Sequence, residues 1–206
     1  MEEMSFDEIL NTLKRWFQGS TSRKSKRDGR NITMPFKGFQ APLRGALHNS
    51  GGLDPSGKGS VGRVHQGLDL RNPIGSSIYP IAAGIVKYVR PDPKGGNTVV
   101  IDHQNEYSSY YAHCAVINVI PGERVNNNTI IAKVGASGNA KGFGHLHIQI
   151  WHNGALIDPA AVIPGIPPPT PFNAKTERLA LPGAKEEAAA WNIQDHLATK
   201  RNKAIT

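Results

Sequence analysis

Apolar positions change period along this chain. From Met4 to Phe17 the residues Phe6, Ile9, Leu10, Leu13, Trp16 and Phe17 recur at spacings of three and four, which predicts an amphipathic helix. Ser5 and Glu8 fit a capping box, Met4 and Ile9 fit the apolar staple around it, and Gly19 closes the segment. Residues 20–40 lose that period. From Val64 to Asp158 short β-like runs follow one another: SIYPIAAGIVKYV at 77–89, NTVVID at 97–102, YSSYYA at 107–112, TIIAKV at 129–134 and LHIQIW at 146–151. Turn signals separate them at Pro91-Asp92-Pro93, Gly95-Gly96, Pro121-Gly122 and Asn153-Gly154. The prediction is a mainly β fold: a compact antiparallel sheet domain, sandwich or open-barrel-like, with an N-terminal amphipathic helix and a short C-terminal helix near 184–198. Residues 35–62 read as loops with at most short strands. The stretch from Pro159 to Pro171, with IPGIPPP, is expected to be neither helix nor inner strand. The domains are then 1–19, the helix; 20–40, a linker; 41–160, the folded module; and 161–206, a Pro-rich segment with a helical extension.

Charge sharpens this division. The 206 residues carry 24 Lys+Arg against 16 Asp+Glu, a formal net charge of +8. Between Lys14 and Arg30 there are seven basic residues and one acidic residue, whereas His65 to Pro159 holds seven basic and six acidic. The excess therefore belongs to an arm, which reads as a solvated tether, and nucleic acid is not an expected partner. No apolar run approaches the ~20 residues that a membrane span needs. The single cysteine excludes an internal disulfide and any cysteine-based zinc knuckle. The acidic start MEEMSFDEIL shows no secretory signal.

Two histidine patterns carry candidate chemistry. In LHIQIW and the residue before it, His145, His147, Gln149 and Trp151 share one strand face, and Leu146, Ile148 and Ile150 share the other, which is the core face. Two imidazoles one pleat apart can converge on one centre. The second pattern is His65-Gln66-Gly67-Leu68-Asp69. His65 and Asp69 would stand ~13 Å apart in a straight strand, so they meet only if the chain bends, which Gly67 permits. Two histidines and a carboxylate, with water in a fourth position, are a frequent catalytic zinc set, and imidazoles favour zinc over magnesium or calcium. His113 closes the run YYAH, at the apparent end of a strand, where it can reach a cleft. His103 and His152 fall in or beside hairpin turns and read as surface residues. His48 and His196 have no supporting pattern. Cys114 reads as a small buried residue. Asn49 or another polar loop residue is a possible occupant of the fourth metal position.

On HQGLDL at 65–70, YPIAAGIV at 79–86, VVIDH at 99–103, YYAH at 110–113, PGERV at 121–125 and VGASGNAKGFGHLHIQI at 134–150, the chain resembles the lysostaphin/LytM-type peptidoglycan metalloendopeptidases, the M23 peptidases. The resemblance covers roughly 41–159. It implies that His65, Asp69 and His147 bind one zinc ion whose fourth position is water, and that His113 and His145 are the catalytic pair. It also implies hydrolysis of peptide bonds in peptidoglycan stem peptides or cross-bridges. Departures from the family pattern are Ile148 and Gln149, where Phe and Glu are common, Gly144, where Pro is common, and Gln104 and Glu106, where turn glycines are common. The alternative is a non-catalytic wall-binding or structural module on the same scaffold. Without a visible signal, delivery to the wall is expected from a phage virion, with the Phe6–Phe17 stripe docking a tail-associated protein partner, or by release from the cytoplasm on cell rupture.

Overall fold

The computed structural model describes residues 38–58, 64–140 and 143–170. The predicted N-terminal helix, the basic linker and the predicted helix near 184–198 lie outside the described residues. Ten strands run in chain order: β1 (His48–Gly51), β2 (Leu68–Arg71), β3 (Ser77–Ile78), β4 (Gly84–Asp92), β5 (Gly96–Gln104), β6 (Tyr107–Ile117), β7 (Arg124–Val125), β8 (Ala132–Val134), β9 (His145–His152) and β10 (Ala155–Ile157). They form one sheet in the order β1-β2-β9-β6-β5-β4-β7, with β10 beside β9, and β3 reaching β6 through β8. All pairings are antiparallel. The path from β1 to β7 does not close on itself, and β3 and β10 are further edge strands with one neighbour each. The sheet is thus open, and the sandwich alternative does not hold.

Period-2 alternation decides what each strand buries. On β9, Leu146, Ile148 and Ile150 are fully buried, and they pack with Leu68, Leu70, Ile101 and Tyr111 in one continuous apolar core. The opposite face carries Tyr110 and Ala112 of β6 and Val100 of β5 as a small cluster, with the polar residues of β9 beside it.

Two sequence expectations fail for identifiable reasons. Pro159–Val162 forms a short helix, α1. Proline is tolerated at the first helical position because its missing N–H would have no intrahelical partner there, and the Asp158 carboxylate caps the turn by accepting from Ala160 N–H at 2.9 Å. The Pro-rich chain beyond it straps the edge strand. Thr170 N–H donates to the Asn49 carbonyl at 2.9 Å, and the Asn49 amide donates to the Pro167 carbonyl at 3.0 Å. Asn49 is therefore a structural residue of this edge and no metal ligand.

His103 is the second correction. It is 4% exposed, not a surface turn residue. It lies on the core face of β5, before a turn in which Gln104, Asn105 and Glu106 all adopt positive φ. Its Nδ1 is 3.1 Å from the Ala83 carbonyl and its Nε2 is 2.6 Å from Ser109 Oγ, which lies 2.9 Å from the Tyr111 hydroxyl; Ile81 N–H donates to that same hydroxyl. One proton order satisfies every group: Ile81 to Tyr111, Tyr111 to Ser109, Ser109 to His103, and His103 to Ala83. That order requires neutral His103, and burial pushes its pKa down to about 4. Among the described residues no helix is long and apolar enough to cross a membrane.

The His103 network predicts acid sensitivity. Below the ordinary histidine pKa the unfolded chain takes up a proton that the folded chain refuses. Stability is therefore complete above about pH 6.5 and falls as pH drops toward 4. We expect about 2 kcal/mol of this loss between pH 7 and pH 5 to come from His103. Urea unfolding of the parent and of His103→Asn at both pH values checks this; equal losses in the two proteins would contradict it.

Candidate metal centre

The register of β2 against β9 assembles the centre. Asp69 pairs directly with His147, and Leu68 with Ile148, so one sheet face receives the carboxylate and the imidazole together. His65 precedes β2, paired with Asp54 in an isolated bridge, and its ring folds back over the same point. His65 Nε2, Asp69 Oδ1 and His147 Nδ1 form a triangle with sides of 3.1, 2.7 and 3.1 Å. Donors at zinc distances of ~2.0–2.2 Å in a tetrahedron stand about 3.3 Å apart. The triangle is thus close to one face of a zinc tetrahedron, drawn in slightly by hydrogen bonds. These three form the group of metal-ligating type found among the described residues. His65 Nδ1–H donates to the Gly52 carbonyl at 2.7 Å, which leaves its Nε2 lone pair facing the centre.

Gly67 has a different role from the one its sequence position suggests. Its φ is not positive, so no left-handed bend occurs there. A Cβ at this position would strike the Ile148 carbonyl and come within 2.9 Å of His147 Cε1. Glycine is needed for close approach: the His147 ring passes over residue 67.

The second pair of histidines stands beside the triangle. His145 Nδ1–H donates to the Phe143 carbonyl at 2.9 Å, and its Nε2 lies 3.9 Å from Asp69 Oδ1. His113 Nδ1–H donates to the Ser137 carbonyl at 2.9 Å, and its ring centroid is 4.6 Å from that of His145. Each thus presents an Nε2 lone pair to the cleft. His113 does not close a strand, as its sequence position suggests; β6 continues to Ile117. It sits at a bulge, where β6 leaves β9 and takes β8 as its neighbour, with φ at 60°. A left-handed histidine is uncommon and strained. It is held because His113 N–H donates to the Gly95 carbonyl at 2.7 Å while its ring is tied to Ser137.

Protonation follows from burial and neighbours. Burial alone would raise the Asp69 pKa, but the hydrogen bond from His147 and the close approach of the His65 ring outweigh it and hold the carboxyl well below its usual range. Burial, reinforced by the neighbouring His145, pushes His113 down to about 4. Burial also lowers His145, against the opposing pull of Asp69. Both cleft imidazoles are neutral near pH 7, and their mutual repulsion disfavours charging both. Cys114 is fully buried and its thiol is pushed up to about 12, so it offers no nucleophile.

All five predicted residues meet in one open cleft of about 330 Å³, whose walls also include Gln66, Lys94, Tyr110, Asn139 and Gln149. His48 lies at the sheet edge and His152 stacks on Tyr107, both away from the cleft. Period 2 places Gln149 on the face of His145 and His147, and it lines the cleft with them; Lys94 comes from a turn, for which the sequence carries no such signal.

A two-histidine, one-carboxylate triangle flanked by two neutral imidazoles is a donor set that could hold a metal ion of the hydrolytic type. Residues 63–159 match the model of Peptidase family M23. Peptidoglycan DD-endopeptidase ShyB of Vibrio cholerae is 35% identical over 146 residues, 69% of this chain and 34% of that protein; the chain thus spans about a third of that relative's length. Among solved structures, a zinc-containing peptidase from Vibrio cholerae superposes with a TM-score of 0.54 at 35% identity, covering 59% of this chain and 39% of that one. The catalytic domain of lysostaphin from Staphylococcus simulans gives 0.50 at 26% identity, covering 56% and 90%.

Two substitutions separate holding the metal from the rest of the site. His147→Ala removes a corner of the triangle, and Gly67→Ala pushes the His147 ring away. We expect both to lower zinc affinity by more than about tenfold, whereas His145→Ala stays within a few-fold of the parent. Chelator competition on the purified chain measures this, and unaltered zinc binding by Gly67→Ala would refute the close-approach role.

Proposed function

We propose that this protein is a zinc-dependent endopeptidase that hydrolyses peptide bonds of bacterial peptidoglycan. The observation that carries the reading is the pairing of a metal-sized donor triangle with two imidazoles whose Nδ1 atoms are tied to backbone carbonyls and whose Nε2 atoms face the same cleft. The names of the relatives support the substrate. Zinc bound by His65, Asp69 and His147 supplies Lewis acidity and makes water nucleophilic near neutral pH.

The chain's own residues do the rest. His145, beside the triangle, accepts a proton from the attacking water at Nε2. The amide C–N bond breaks as the C–O bond forms, and the leaving nitrogen needs one proton. His113 Nε2 delivers it, after taking it up from the solvent or from His145. Since the pair holds no more than one proton comfortably, uptake at one imidazole favours release at the other.

Lys94 supports a substrate preference. Asp69 is the one carboxylate among the described residues that line the cleft, and exposed Lys94 sits at the rim. Its turn is bound to the site: the Lys94 carbonyl accepts from Asn139 N–H at 2.9 Å, and the next carbonyl, that of Gly95, accepts from His113 N–H. A cation on the His113 side suits a leaving amine that carries a carboxylate, as in a direct D-Ala–diamino-acid cross-link, and gains nothing from a glycine bridge. Attachment of the Phe6–Phe17 stripe to a larger particle, such as a virion tail, belongs to the same proposal and is supported by the apolar pattern alone.

Mass analysis of fragments released from walls of different cross-link chemistry tests the reading. With zinc, directly cross-linked walls should release peptides with newly freed amines. His145→Ala should lose about 10²–10⁴-fold in rate while keeping zinc. Lys94→Ala should lose roughly tenfold on the carboxylate-bearing cross-link and little on its amidated counterpart. Absence of new amines with zinc-loaded protein would refute the enzyme in favour of a wall-binding module.

A further inference from the structure

Gln149 is 4% exposed, stands on the open face of β9 opposite Tyr110 of β6, and lines the cleft. Its side-chain nitrogen lies 3.1 Å from His147 Nε2. The other nitrogen of that ring, Nδ1, is the one in the donor triangle, 2.7 Å from Asp69 Oδ1 and 3.1 Å from His65 Nε2. One imidazole thus divides its nitrogens between the metal centre and an amide.

A neutral imidazole carries one N–H and one lone pair. With the proton on Nδ1, the ring donates to Asp69 at 2.7 Å and its Nε2 accepts from the Gln149 amide nitrogen at 3.1 Å. For Nδ1 to become a ligand, the proton must stand on Nε2, which then needs an acceptor. A half-turn of the Gln149 amide brings its oxygen to the place its nitrogen held. An amide therefore satisfies both tautomers. A carboxylate only accepts, so it would favour the ligating tautomer alone. An apolar side chain would satisfy neither and leave a buried ring nitrogen without a partner.

We propose that Gln149 is the positioning residue that governs the tautomer of His147, and that its amide keeps the ring satisfied both before and after metal entry. The cost of this versatility is weaker zinc retention than a carboxylate would give. The inference rests on the metal reading of the same site.

The test is zinc affinity of the full chain by chelator competition, with ¹⁵N NMR of the His147 ring. Gln149→Leu should bind zinc roughly 10–100-fold more weakly. Gln149→Glu should recover parental affinity or exceed it. In the unaltered protein the His147 proton should move from Nδ1 to Nε2 on zinc binding, a readout available even if a variant fails to fold. Zinc affinity of Gln149→Leu within twofold of the parent overturns the proposal. So does an unchanged His147 tautomer in the parent, or equal weakening by Glu and Leu. Failure of the parent to bind zinc would overturn the metal reading as well, whereas tight binding indifferent to residue 149 overturns this inference alone.

Discussion

The site depends on one pairing, Asp69 opposite His147 across β2 and β9. Side chains in a sheet alternate faces, so a slip of one residue would turn the carboxylate into the core and bring Leu68 or Leu70 out. The register is held by the same alternation that places the chemistry: Leu68, Leu70, Leu146 and Ile148 are all fully buried on the far face. Apolar burial at ~25 cal/mol per Å² is the dominant favourable term in the fold. Here it also sets where the donors stand. The donor triangle is specified by core packing on the other face of the same strands.

His113 shows how a second part of the site is aimed without such regularity. A residue inside a strand cannot turn its side chain along the sheet while keeping the ladder intact. The bulge breaks the ladder where β6 exchanges β9 for β8, and a positive φ turns the imidazole toward His145. The surrounding loops hold that conformation. Asp92 fixes the β4–β5 turn by accepting from Lys94 N–H at 2.9 Å, the Gly95 carbonyl of that turn holds His113, and the Ser137 carbonyl holds its ring. A Cβ on Gly95 would meet the Tyr110 hydroxyl, so the turn can lie this close only with glycine there. Strain at residue 113 is thus held by contacts from two segments, the turn of Gly95 and the loop of Ser137, which is the condition for such strain to persist at a functional position.

What the sequence discloses follows from which physical rule places each residue. His145, His147 and the core residues between them obey a two-residue period, and that period alone puts them on the correct faces. His65 and Asp69 are four apart, and no period unites them. Their meeting depends on how the chain enters β2, and the reason suggested by Gly67 was a bend where the fold needs clearance beneath His147. His103 was misplaced because a histidine before a turn looks solvent-exposed. The Ser109 hydroxyl on the paired strand and the Ala83 carbonyl make its burial tolerable, and pairing between β5 and β6 is not written locally. The helix at Pro159 was missed by applying the helix-interior rule for proline to a first-turn position that Asp158 caps. Lys94 and Ser137 reach the site through turns, for which sequence offers residue preferences but no direction.

The charges of the centre are balanced so that it can wait for its ion. A buried carboxylate without a partner is costly to the fold, and repulsion among three or four buried imidazolium groups would be worse. Asp69 avoids the first by accepting from His147 and lying near His65 and His145. His113 and His145 avoid the second because burial lowers their pKa values and keeps them neutral. Each of the four cleft histidines has a second polar contact that fixes its ring: the carbonyls of Gly52, Phe143 and Ser137 for His65, His145 and His113, and the Gln149 amide for His147. Three of those contacts are carbonyl oxygens, which accept only and so dictate a single tautomer. The fourth is the amide, at His147, whose Nδ1 stands in the donor triangle. Metal entry then requires little movement of heavy atoms, since the donor triangle is already nearly of tetrahedral size. Any zinc bound by the folded chain and not by the unfolded one adds its binding free energy to the stability of the sheet that holds it. Under the proposed function, the apolar alternation that positions the donors and the ion bound by them would reinforce each other through the same two strands.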